Sequence, residues 1–165
     1  MRGAALAAAA LLGVSVLAQS PEWQRKSWVD PMNDVPGYAV YRYATAPVQC
    51  AYNRTVPYLS VEWPSGGRPV IGIRLACVMV DRGAGVVYVR LDELPSQTIE
   101  GRVSGDKGDL LILSGLAVED LLAHRRLRVD LPLYGARAVA EFNLEGLEAA
   151  LQPEAEHGPA PAPPG

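Results

Sequence analysis

The chain has 165 residues, of which 49% are hydrophobic and 20% charged, with a net charge of −3, two cysteines and two histidines. That length suits one compact domain and leaves little room for two. An acidic balance, with a pI near 5.4, excludes nucleic acid or an anionic membrane surface as a partner held by bulk charge, because phosphate binding needs a surplus of Lys and Arg.

Residues 1–18 read as a cleaved secretory signal. Arg2 supplies the positive charge, an apolar run follows from Ala4 to Ala18, and Val16-Leu17-Ala18 is a small-residue cleavage pattern before Gln19. The apolar run is about 15 residues, shorter than the roughly 20 that span a bilayer, so no stable membrane span is expected after its removal. No cysteine stands at the cut for lipid attachment. Export implies an oxidising space, periplasmic or secreted, in which Cys50 and Cys77 can pair as a disulfide. Two buried free thiols are the alternative. Without a Cys-x-x-Cys pair a redox role is not expected.

Residues 19–152 are expected to form a single β-rich domain. Trp23 to Val29 is the first predicted strand, closed by Asp30-Pro31; Tyr38 to Ala44 is the second; Thr55 to Trp63 is the third, ended by Pro64-Ser65-Gly66-Gly67. The run Val70 to Val80 is nearly all apolar and reads as a strand buried on both faces, with Gly72 marking a bend or bulge. In the next segment Val87, Val89 and Leu91 alternate with Tyr88, Arg90 and Asp92, and residues 70–92 are predicted to be a β-hairpin. Thr98 to Val103 and Leu110 to Leu113 form a further predicted pair. Ser114 is the expected N-cap of a helix reaching Arg126, with Leu116, Leu121 and Leu122 on its stripe and His124-Arg125-Arg126 at its C-terminal end. Leu127 to Leu131 and Arg137 to Phe142 are two more strands, and Asn143 is placed to cap a short helix from Leu144 to Leu151. Residues 153–165, PEAEHGPAPAPPG, are a Pro-rich tail that cannot bury apolar area and is expected to be disordered. The fold class is therefore mostly β: an antiparallel β-sandwich or open barrel with one or two short helices, of α+β flavour.

The ending RLRVDLPLYGARAVAEFNLEGLEAAL, with the earlier VVYVRLD and DPMND, resembles the periplasmic type VI secretion-associated proteins of the TagO/VasI kind and their unassigned relatives. Trp28, Asp30-Pro31-Met32, Cys50, Arg90-Leu91-Asp92 and Phe142 to Leu147 stand where that family's features fall. The resemblance spans residues 23–151 in short pieces. Cys77 between the blocks, with no cysteine near the C-terminus, departs from the pattern, so the family disulfide is not carried over. An envelope accessory module is what the resemblance implies, with no catalytic residue to transfer.

Most chemistries lack their residues. The two histidines, His124 and His157, fit no zinc motif, so neither metal nor cofactor is expected. No Gly-x-Ser-x-Gly elbow or phosphate-cradling loop is present. Asp106 and Asp109 lack the bidentate Glu of a calcium loop, and nothing places Glu62 and Asp92 at a glycosidase separation. The chain is accordingly expected not to be an enzyme.

Two features remain. Eight of the eleven aromatics fall between Trp23 and Trp63: they are either sheet core and cross-strand pairs, or exposed rings that stack on sugar or anchor a protein. In the second strand, alternation puts Tyr41 and Tyr43 on one face with Ala39, and Tyr38 and Val40 on the other with Arg42. Arg90 and Asp92 are read as neighbours on one strand face with Tyr88, and Arg74 as lying on the adjacent strand. They are either an outer-face ion pair or a clamp of Arg74 and Arg90 on a ligand carboxylate. Trp63, Arg74, Arg90 and Asp92 are therefore the candidate binding residues. The expected function is an exported envelope interaction module that binds a protein partner through a sheet face or edge. A peptidoglycan- or glycan-binding domain using the N-terminal aromatics is the alternative.

Overall fold

A computed structural model describes residues 22–32, 34–64, 67–80, 85–105 and 107–152. The predicted signal, the Pro-rich tail and Asp106 lie outside the described residues. Among the described residues twelve strands and two helices follow one another. They begin with β1 (Gln24–Val29), β2 (Pro36–Tyr43), β3 (Val48–Gln49), β4 (Arg54–Thr55), β5 (Tyr58–Trp63) and β6 (Val70–Arg74). β7 (Val86–Leu91), β8 (Gln97–Glu100), β9 (Arg102–Ser104), β10 (Leu110–Ile112) and α1 (Val118–Leu122) come next. The last are β11 (Arg126–Leu131), β12 (Ala138–Asn143) and α2 (Leu147–Leu151).

All pairing is antiparallel. Six strands form one sheet in the order β1-β2-β5-β6-β10-β9, four form a second in the order β12-β11-β7-β8, and β3 pairs with β4 alone. Period-two alternation decides which side of each sheet turns inward. Val40, Val61 and Ile71 stand opposite one another across β2, β5 and β6, as do Leu59, Ile73 and Leu111 across β5, β6 and β10. From the other sheet come Val87, Val89, Leu91, Leu127, Val129, Leu131, Ala140 and Phe142, and both sets belong to one buried cluster. The result is a β-sandwich. Leu121, Leu144 and Leu147, from the two helices and the turn before α2, are buried in the same core.

The chain passes from one sheet to the other at Gly101, between β8 and β9. Its amide donates to the Gly85 carbonyl at 2.7 Å, and a Cβ there would lie 2.3 Å from Cγ2 of Val87. Only glycine fits this corner. The predicted strand from Thr98 to Val103 is therefore two strands serving two sheets.

Four other expectations are corrected. Residues 70–92 are not a hairpin: β6 pairs with β5 and β10, whereas β7 pairs with β8 and β11 in the opposite sheet. The apolar run from Val70 ends as a strand at Arg74, because Cys77 is drawn into a disulfide and Met79 keeps only an isolated bridge to Leu133. Gly72 is no bulge, since it holds regular register with Ser60 and Ile112; its missing side chain makes room for Leu110, whose Cδ1 lies 2.9 Å from where a Cβ would be. Both helices start later than their sequence signals. The Ser114-Gly115 segment is tied to β8 by the Gly115 amide on the Glu100 carbonyl, and α1 begins after Ala117, whose amide donates to the Asp120 carboxylate at 2.9 Å. Asn143 accepts the Glu145 amide at 2.8 Å, closing a turn ahead of α2 rather than capping the helix.

Candidate functional site

Alternation leaves the outer face of the six-stranded sheet to be built from the other set of side chains. Directly opposed positions form rows: Ala39 with Glu62, Tyr41 with Ser60 and Gly72, and Tyr43 with Tyr58 and Arg74. Ala39, Ser60 and Gly72 are small, so the middle of the face is a trough between larger neighbours. A groove of about 710 Å³ results, lined among others by Trp28, Tyr41, Tyr43, Tyr58, Glu62 and Arg74.

Three tyrosines make one wall. Their ring centroids lie 6.2 Å (Tyr41 to Tyr43), 5.6 Å (Tyr41 to Tyr58) and 5.7 Å (Tyr43 to Tyr58) apart, with planes inclined at 82°, 59° and 67°. Such edge-to-face contacts suit the ring quadrupole. They present notches between rings rather than one flat platform. The Tyr41 hydroxyl donates to Oε1 of Gln24 at 2.7 Å, and the Ser60 hydroxyl to Oε1 of Glu62 at 2.9 Å. Glu62 lies 3.6 Å from Nε of Arg74. Burial pushes the Tyr58 hydroxyl above its ordinary pKa, against the opposing pull of Arg74, so it remains a neutral donor.

Of the residues predicted as binding groups, only Arg74 lies in this groove. Trp63 is on the inward side of the same sheet, stacked on Tyr38 at 4.7 Å and 9° and packed against the core. Arg90 belongs to the outer face of the opposite sheet, where it pairs with Glu93 at 2.8 Å. The expected neighbourhood of Arg74 and Arg90 is thus corrected: they sit on opposite outer faces, and no single carboxylate reaches both. Asp92 does not share a strand face with Arg90 and Tyr88 either. Its φ of 47° turns the chain out of β7, and Oδ1 accepts the amides of Arg125 and Arg126 at 3.0 and 2.8 Å while Oδ2 meets Nδ1 of His124 at 3.1 Å. Burial alone would raise the Asp92 pKa, but the bonds from His124 and the two amides outweigh it and hold it below the ordinary aspartate value. Asp92 is a clasp between β7 and β11. It also explains why His124 and Arg125 follow the helix rather than end it.

Cys50 and Cys77 form a disulfide with a Cα–Cα separation of 6.2 Å, inside the usual range. It ties the β3–β4 hairpin to the turn after β6. Beside it lies an apolar cleft of about 400 Å³ between Tyr52, Val78 and Tyr134. Among the described residues no three His, Cys, Asp or Glu side chains are grouped to hold a metal, and no helix is long and apolar enough to cross a membrane.

The aromatic cluster divides differently from the expected sheet core. Phe142 is the one aromatic ring in the buried core of the described residues, while Tyr41, Tyr43 and Tyr58 are half-buried on the outer face. Cross-strand pairing does operate, for Tyr38 opposes Trp63 and Tyr43 opposes Tyr58. Tyr58, Ser60 and Glu62 were not among the predicted binding residues, although their alternation with Leu59 and Val61 carried the signal once one face was assigned to the core. Comparisons with family models, curated proteins and solved structures found no match to this chain.

Proposed function

We propose that the chain is an exported, non-catalytic interaction module of the cell envelope, periplasmic or secreted, that holds a segment of a protein partner in the tyrosine groove. The observation that carries this reading is the wall of three mutually inclined, half-buried tyrosines beside the Glu62–Arg74 pair. Rings of this kind supply apolar contact at low entropic cost together with a polar tip, which is why tyrosine recurs where proteins meet. The Cys50–Cys77 bridge supports an oxidising compartment. The resemblance to type VI secretion-associated accessory proteins agrees with an envelope role.

A glycan reading has less support. Sugar faces stack on flat exposed rings, and among the described residues the one nearly parallel pair, Tyr38 and Trp63, is stacked on itself. The test is affinity capture from the native envelope fraction with the tagged chain, its Tyr43→Ala and Tyr58→Ala variants, and an Arg90→Ala control, alongside sedimentation with insoluble peptidoglycan. Recovery of a defined protein, lost in both tyrosine variants and kept in the control, is the expected result. Sedimentation with the wall that depends on the tyrosines would replace the protein partner with glycan.

A further inference from the structure

The groove lies within reach of a segment whose chemistry matches it. Residues 153–165 follow directly on Gln152, whose carbonyl accepts a hydrogen bond from Nη1 of Arg25 in β1 at 2.7 Å. β1 is the edge of the six-stranded sheet, and Lys26, the residue after Arg25, already lines the groove. Gln152 therefore sits at the strand that borders the trough, on the side facing away from it, one edge-crossing from the groove.

Its order of residues repeats the order of the surface. First come Glu154 and Glu156, then Pro159, Pro161, Pro163 and Pro164. On the groove face of the edge strand the exposed Lys26 comes first and the tyrosine wall beyond it, while Arg25 lies on the opposite face over the Tyr38 ring. A proline-rich segment favours the polyproline II conformation, whose backbone carbonyls make no internal hydrogen bonds, and such segments dock in aromatic-lined grooves. Inclined rings leave notches of the kind that pyrrolidine rings fill. Among the described residues no hydrogen bond engages the hydroxyls of Tyr43 and Tyr58, so both are available to donate to those carbonyls. Length is sufficient: four residues cover about 13 Å around the edge. The nine from His157 to Gly165 then extend about 28 Å as polyproline II, against about 15 Å across the four strands of the groove.

We propose that the tyrosine groove is a receptor for proline-rich polyproline II segments and that residues 153–165 of this chain occupy it in cis, so that an external partner must displace them. This rests on the groove being the binding site proposed above and names the class of its ligand and its regulation. A tethered segment has an effective concentration near the millimolar range, so an intrinsic Kd of about 0.1 mM leaves the groove mostly filled and weakens an outside ligand about tenfold.

The test uses the whole chain and a fluorescent peptide of residues 157–165, with binding read by anisotropy. A variant carrying Pro159→Ser, Pro161→Ser, Pro163→Ser and Pro164→Ser should bind the peptide about tenfold more tightly than the parent chain. Adding Tyr58→Phe, which keeps the ring and removes the donor, should weaken that binding, with thermal melting to show that the fold is intact. Equal binding to parent and four-proline variant overturns occupancy in cis. No peptide binding to the variant overturns the proline class; if tyrosine-dependent capture of an envelope protein persists, the groove reading survives it, and if capture is also independent of the tyrosines, both fall.

Discussion

The two outer faces of the sandwich are made by the same alternation and end in opposite chemical states. On the four-stranded sheet Arg90 stands directly opposite Arg128, an unfavourable pairing of like charges, yet each has its own carboxylate. Arg90 is bonded to Glu93 and Arg128 to Glu141 at 2.6 Å; Arg126 reaches both acids, and Arg137 is paired with Asp130. The guanidinium pKa values of Arg128 and Arg137 are raised first of all by those hydrogen bonds. The six-stranded sheet instead carries small residues in its middle, inclined tyrosines around them, and one loose ion pair. A ladder whose charges are already paired has little left to offer a ligand, although the buried Nε of Arg90 has no hydrogen-bond partner. A trough of half-buried rings in which, among the described residues, the hydroxyls of Tyr43 and Tyr58 make no hydrogen bond has surface and donors in reserve, and that is why the site is assigned there.

The largest expected effect separates the two sides covalently. Breaking the bridge with Cys77→Ser should cost about 3.5 kcal/mol in urea unfolding, the loop-entropy value for a 27-residue separation. In hydrogen exchange the β3–β4 hairpin and the turn after β6 should open before β11 and β12. Uniform loosening would mean that the groove side has no separate dependence on the disulfide.

Filling the trough comes next. Gly72→Val puts a branched side chain where Leu110 already lies, and overpacking of this kind costs about 1–3 kcal/mol. Partner capture should fall with it, by a co-sedimentation assay run well below the melting temperature.

The two sides should also fail at opposite ends of the pH scale. Asp92, held below its ordinary pKa by His124 and two amides, contributes stability that is present above the unfolded aspartate value and lost as pH falls through its folded value. Tyr58, raised by burial, contributes stability that is full below the unfolded tyrosine pKa and lost as pH rises through its folded value. Asp92→Asn should flatten the acid limb of a melting-temperature profile and Tyr58→Phe the alkaline limb. Either variant altering the other's limb would break the separation.

The smallest effect belongs to the charged face. Arg90→Ala should change stability by less than about 1 kcal/mol, as is usual for partly exposed ion pairs, and should leave partner capture unaltered.

The legible parts of the fold were those governed by nearest neighbours. Val87, Val89 and Leu91 alternate into the core as their spacing requires, and β11 and β12 pair across the Pro132 to Gly135 turn close to their predicted limits. Cys50 and Cys77 join as expected. Of the candidate site, the separation of Tyr41 and Tyr43 from Val40 could be read from alternation alone, and Arg74 was named without its setting. Its companions Tyr58 and Glu62 depend on the β2–β5–β6 register, which brings Tyr43, Tyr58 and Arg74 into one row spanning 31 positions of sequence and has no local signature.

The mostly β antiparallel class, the alternation of Val87, Val89 and Leu91 and the disulfide candidates were determined by the sequence itself, because each follows from period-two hydrophobicity or from residue identity within a short window. Which sheet a strand joins was decided by tertiary structure. The run from Val70 to Leu91 looks like one hairpin, but its two strands lie in opposite sheets and bury their apolar faces in the same core, a choice that depends on all the other strands. That choice sends Arg74 and Arg90 to opposite surfaces and leaves the tyrosine groove open on one of them.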